Sequence, residues 1–251
     1  MRFALIALAA TALSSCGPAR PPEVSAADNL MNALLRDTGT SSLFAVPAIS
    51  ESIGRARQRH AAWLKSWEVT GVSASGRIGP WSSAEVAGTL TGTDGVARPA
   101  VVTLADLDRW QVLAVHVDGK LLLPCPLNAA DVKKPQILFV RTRRQIGSTP
   151  PDPQRRDRLE LEIIAAPGSR SSEAPAMRLE ARLLEKDGAQ HGVTFEADFT
   201  APGVHGLVSV LTDPGWSGNF FPGRGHSSYR LAVTVIDKST GESTTREEGL
   251  R

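Results

Sequence analysis

Five histidines, at positions 60, 116, 191, 205 and 226, are the side chains of this sequence best suited to moving a proton near neutral pH. His60 has the most suggestive surroundings. It falls in the segment ISESIGRARQRHAAWLKSWE, where Ile49, Ile53, Ala56, His60, Trp63, Leu64 and Trp67 recur at spacings of three and four. That spacing puts His60, Trp63 and Trp67 on one side of a helix, a candidate pocket in which the imidazole serves as general acid or base. The competing reading is a histidine at the rim of a core with one ring nitrogen bonded. His116 lies in an alternating stretch and reads as a strand residue at the core edge or in solvent. No two histidines stand at i, i+4 and none joins a short cysteine/histidine cluster, so neither metal nor cofactor is expected. GWSGNF and GHSSYR lack the second glycine of a nucleophile elbow. No phosphate-binding loop or dinucleotide fingerprint occurs.

A second constellation suits binding rather than catalysis. The stretch TDPGWSGNFFPGRGHSS, residues 212–228, carries Trp216, Phe220, Phe221, Arg224 and His226 between two strand-like segments. Aromatic residues and arginine are enriched at binding hot spots. Long irregular connections are uncommon and often functional. The alternative is that these aromatics cap one end of a β-sandwich.

The third chemically notable residue is Cys16. The chain opens MRFALIALAATALSSC, with Arg2 ahead of an apolar run from Phe3 to Leu13 and small residues before the cysteine. A charged start, a short apolar core and a small-residue exit form a secretory signal. Leu13-Ser14-Ser15-Cys16 resembles the lipobox of bacterial lipoproteins. That resemblance implies that residues 1–15 are removed and that Cys16 is acylated and becomes the first residue of the mature chain. It implies a lipid bilayer as the first partner, and two or more acyl chains give stable anchoring. Gly17 stands where an aspartate would signal retention in the inner membrane, so the resemblance favours an outer-membrane anchor facing the periplasm. Residues 16–24 then form a tether. The prolines of GPARPPEV are expected to keep it extended, at ~3.1 Å per residue.

The charge balance agrees with an envelope protein that does not bind nucleic acid. Lys and Arg number 28 against 26 Asp and Glu, a net +2, with Arg2 lost on cleavage. Beyond Cys16 only Cys125 remains, which excludes an internal disulfide in the mature chain and suggests a buried thiol.

These residues need a framework, and the pattern along the chain supplies two. In residues 25–123, Ser25 is expected to cap a helix over SAADNLMNALLRD, and a longer helix follows over 49–68. Arg55, Arg57, Arg59 and Lys65 fall mostly on its solvated side. After Gly71 the period turns to two. SSAEVAGTLTG, RPAVVTLA and RWQVLAVHVDG read as strands, about four in all. The order helix, helix, antiparallel sheet, with WQVLAVHVDG as a closing strand, is similar to the cystatin-like and NTF2-like families. Members of those families pack a helix across a curved sheet that often encloses a pocket.

LPCPLNAADVKKP holds three prolines and no alternation, and residues 124–135 read as a linker. Residues 136–251 alternate throughout in about seven strands, which predicts an antiparallel β-sandwich. GHSSYRLAVTVIDKSTGE, with Tyr229 opening the strand, is similar to a late strand of immunoglobulin-like domains. The expectation is an α+β domain followed by an all-β domain on a lipid anchor. Its role is a non-enzymatic binding or scaffold module with an envelope protein partner. The alternatives are an enzyme or small-ligand binder using the pocket near His60, and a structural subunit of an envelope assembly.

Overall fold

A computed structural model describes residues 20–36, 41–60, 64–126, 134–145, 157–166, 176–184, 190–200, 208–211, 216–218 and 230–249. Among them the fold is mostly antiparallel β-sheet, with two α-helices and a single 3-10 turn at Ser41–Leu43.

Helix α1 (Pro22–Arg36) begins three residues before the expected cap. Pro22 fits the first helical turn, where its missing N–H removes a group that has no intrahelical partner. Ser25 lies inside that turn, and its hydroxyl donates back to the carbonyl of Pro21 at 3.2 Å. The stretch read as a spacer up to residue 24 therefore ends at the helix start. Helix α2 (Pro47–His60) also starts on a proline and closes on Arg57, Arg59 and His60. Cations in a last turn complement the helix dipole.

The helix expected to run to residue 68 stops at His60. Ser66 opens strand β1 (Ser66–Ile78), so Trp67 lies on a strand rather than on a helix face. Trp67, Val69 and Gly71 alternate with exposed Glu68 and Thr70, a period of two inside a segment that also fits 3.6. Strands β2 (Trp81–Thr91), β3 (Ala97–Asp106), β4 (Trp110–Val117) and β5 (Lys120–Leu123) complete an antiparallel five-stranded meander. That is one strand more than the pattern showed, because KLLL is too short to display alternation.

The helices cover one face of this sheet. Leu30, Leu34, Ile49, Val86, Leu90, Val102, Leu104 and Val115 are fully buried there in one cluster. Each such side chain contributes roughly 1.5–3 kcal/mol when removed from water. A bridge between Ala45 and Val112 and the Val46 N–H to Val112 carbonyl bond pin the start of α2 beside β4.

Two further antiparallel sheets follow. In the first, β7 (Asp157–Ala166) is central. It pairs on one edge with β6 (Gln136–Gln145), and on the other with β10 (Val208–Leu211) and then β11 (Trp216–Gly218). The second has the order β13 (Ser243–Gly249), β12 (Arg230–Asp237), β8 (Ala176–Leu184), β9 (Gln190–Thr200). Met177, Leu179, Ala181, Leu231, Val233 and Val235 are fully buried on one face of it.

From Leu161 to Ala165, strand β7 is buried on both faces. Leu161, Ile163 and Ala165 point one way, and Glu162, Ile164 and Ala166 the other. Ile164 and Ala166 of the second set, with Leu138 and Phe139 of β6, pack into the same cluster as the helices and the five-stranded sheet. The hydrophobic core thus runs from the first half of the chain into the second without a break.

Candidate functional site

His60 ends α2 and lines an open groove of about 170 Å³ with Arg98, Val117, Asp118, Lys120, Leu121 and Leu122. The sheet positions these partners. Arg98 is the second residue of β3, while Asp118 and Gly119 form the β4–β5 turn, with φ of 50° and 72°. Asp118 N–H is tied to the Pro99 carbonyl at 2.9 Å. The groove's charges are matched internally. Arg98 Nη2 meets Asp94 Oδ2 at 2.5 Å, and Arg98 Nε lies 3.9 Å from Asp118 Oδ2. The hydrogen bond from Arg98, with a second from the Val96 N–H, pushes the Asp94 carboxyl down to about 2. Burial, and then the neighbouring Arg59, lower the His60 pKa below its ordinary value. Near neutral pH the ring is therefore uncharged, with acceptor capacity as well as a donor.

Trp67 is not in this groove. Its Nε1–H donates to Asp28 Oδ1 of α1 at 2.9 Å, and Arg20 pairs with the other oxygen of the same carboxylate. The indole lies across β2 at Gly88. A Cβ there would fall 2.5 Å from Trp67 Cζ3 and 2.6 Å from the Glu68 carbonyl oxygen. Glycine in a strand interior marks such a close approach. Of the three residues expected to share a pocket, His60 and Trp67 thus have separate surroundings, and Trp63 lies outside the described residues.

In the 212–228 segment, Trp216 opens β11, which pairs with β7 through Trp216↔Leu159. The segment expected to be irregular throughout therefore contains a short strand, because the edge of β7 continues past its pairing with β10. Phe220, Phe221, Arg224 and His226 lie outside the described residues, as do Cys16 and Tyr229.

The most concentrated charge chemistry was not visible in the sequence. Arg141 of β6 pairs through Nε with Glu162 of β7 and through Nη1 with Asp108 at 2.5 Å, in the β3–β4 turn. Its guanidinium carbon lies 6.0 Å from the Trp81 ring centroid and 5.7 Å from that of Phe139. The two rings meet edge to face at 5.9 Å. Burial opposes the charge on Arg141, but the bonds to Glu162 and Asp108 outweigh it and raise the pKa further. The cluster joins three elements by charge and by cation–π attraction.

Two arginines expected on a solvated helix face also reach residue 125, Arg55 half-buried and Arg59 still exposed. Arg55 Nε donates to the Cys125 carbonyl at 3.1 Å, and Arg59 Nη1 lies 3.3 Å from Cys125 Sγ. The thiol is buried, 3% exposed. Among the described residues no group of three or more His, Cys, Asp or Glu gathers to hold a metal ion. No described helix is long and apolar enough to cross a membrane. Comparison with protein-family models, with curated proteins and with solved structures gives no match.

Proposed function

We propose that this chain is a lipid-anchored protein of a bacterial envelope, acting as a non-enzymatic binding or scaffold module. The lipobox-like Leu13-Ser14-Ser15-Cys16 after a short apolar run carries the reading. The described fold is compatible with it, since α1 begins at Pro22, six residues beyond Cys16. The anchor gives an outer-membrane protein facing the periplasm, with the bilayer as one partner and an envelope protein as the other.

The finer fold assignment belongs to the same proposal. Two helices on one face of an antiparallel meander support a cystatin-like or NTF2-like first half. Two antiparallel sheets with buried apolar faces support an immunoglobulin-like sandwich in the second. Both architectures host many functions, so the role rests on the anchor and on surfaces rather than on the fold.

Cys16→Ser expressed in a diderm bacterium tests the anchor. The variant should accumulate as uncleaved precursor or as a form released from membranes. Normal processing, with retention in the membrane fraction, would overturn it. A joint Trp216, Phe220 and Phe221 to alanine variant tests the partner contact. It should lose proteins cross-linked to the wild-type chain in membranes, and an unchanged cross-linking pattern counts against that surface.

A further inference from the structure

The start of the described fold fixes which way the body faces once Cys16 carries lipid. Arg20 is paired with Asp28, and the same carboxylate accepts the Trp67 indole N–H. The chain therefore leaves the fold beside the first residues of β1. Several features share that end of the five-stranded sheet. Lys65 N–H bonds the Thr91 carbonyl at 3.1 Å, which places the β2–β3 turn there. Ala100 pairs with Val117, which brings the β4–β5 turn alongside. His60, the last residue of α2, meets Lys120 and Leu121 in the groove between them.

The second half of the chain attaches at the opposite end. Trp81 contacts Phe139, and Asp108 holds Arg141, both at the far tips of the β1–β2 and β3–β4 hairpins. From Trp67 to Ile78, β1 covers a contour of about 35 Å at ~3.3 Å per residue.

We infer that the end of this sheet bearing the β2–β3 and β4–β5 turns is the bilayer-facing surface of the protein, and that its occupant is the lipid headgroup layer. The inference rests on the proposed anchor at Cys16. Cys16 is four residues from Arg20, a reach of at most about 14 Å even fully extended. A headgroup layer is about 5–8 Å thick. So short a link, ending on a residue held by an ion pair, keeps this surface at the lipid and directs the other two sheets away from it.

The side chains suit that position. Among the described residues the exposed large apolar side chains are Leu43, Val72, Val96 and Leu121. Val96, 50% exposed, is on the β2–β3 turn, and Leu121, 41% exposed, follows the β4–β5 turn. Lys65, Arg98 and Lys120 accompany them, balanced by Glu68, Asp94 and Asp118. Arg57 and Arg59 of the last turn of α2 stand at the same end. The placement of this surface is set by the tether.

The test uses residues 16–251 coupled through the Cys16 thiol to a maleimide lipid in phosphatidylcholine vesicles, which separates it from processing in cells. Cys125 is buried and stays unlabelled in the folded protein. Hydroxyl-radical footprinting is then compared with that of protein capped at Cys16 and free in solution. Oxidation of Val96 and Leu121 should fall at least threefold on vesicles, with Val72 and Leu43 unchanged. Unchanged Val96 and Leu121, or equal protection of all four, would overturn the inference. A ten-residue Gly/Ser insertion between residues 19 and 20 should abolish the difference. Persistence of the protection would refute the tether as its cause. Failure of the Cys16→Ser experiment in cells leaves these outcomes intact, because the lipid is attached chemically.

Discussion

Arg141 and Glu162 stand opposite one another in the β6–β7 register and form an ion pair withdrawn from water, their side chains 18% and 5% exposed. Breaking such a pair from one side leaves a buried charge without a partner, which costs about 3–5 kcal/mol. Arg141→Ala should lower the unfolding free energy by about that amount in urea denaturation. The joint change Arg141→Met with Glu162→Leu should cost far less, since neither charge remains. Equal losses in the two proteins would show that packing against Trp81 and Phe139, and not charge, dominates.

Asp108 offers the third contact of the same cluster but is 76% exposed. Its backbone has φ of 81°, the left-handed region that side chains other than Asn, Asp and Gly rarely adopt. Asp108→Asn should change stability by less than about 1 kcal/mol, the range of an exposed ion pair. Asp108→Ala should cost about 1–2 kcal/mol more than Asp108→Gly, because only alanine carries a Cβ into that conformation. Thermal melts of the three variants separate backbone from charge, and equal melts for Ala and Gly would remove the backbone argument.

Gly88→Ala places a methyl group against the Trp67 ring and the Glu68 carbonyl. The ring can shift, but the backbone carbonyl yields only if the β1–β2 ladder opens. Overpacking of this kind costs about 1–3 kcal/mol. The change should also disturb the Trp67 to Asp28 hydrogen bond, read as a shift of the indole N–H resonance. A stable variant with that resonance unmoved would refute the close approach.

His60 sets a pH dependence. Its pKa is below 6.5 in the folded protein, for reasons of burial first and Arg59 second. The unfolded chain therefore binds the proton more readily than the folded one. The stability carried by the neutral ring is present above pH 6.5 and is lost as pH falls through the folded value. His60→Gln should flatten the decline in melting temperature between pH 7 and pH 5. An identical decline in the variant would assign it to other groups.

Strands β8 and β12 were legible because one face of each is buried, which writes alternation directly into the sequence. Asp157–Ala166 and Ala176–Leu184 occupy the segments their patterns mark. Trp67 misled because WLKSWEV satisfies both periods, and only the burial of Trp67 across Gly88 decides between them. The burial of Glu162 left no trace in the alternation of DRLELEIIAA, because alternation assigns a face without saying what covers it. Here the cover is the other half of the chain. Arg55 and Arg59 were hidden for a similar reason. Their target is a carbonyl and a thiol at residue 125, about 70 residues away in sequence, and no local pattern records that.

Strand β7 acts as a party wall. Apolar residues on both its faces belong to different rooms, so a slip of one residue in its pairing with β6 would exchange Leu161 and Ile163 for Glu162 and Ile164 in both at once. Neither half can lose its order without exposing the other. Loss of order in β7 would therefore uncover apolar surface of the cluster that also holds the helices and the five-stranded sheet.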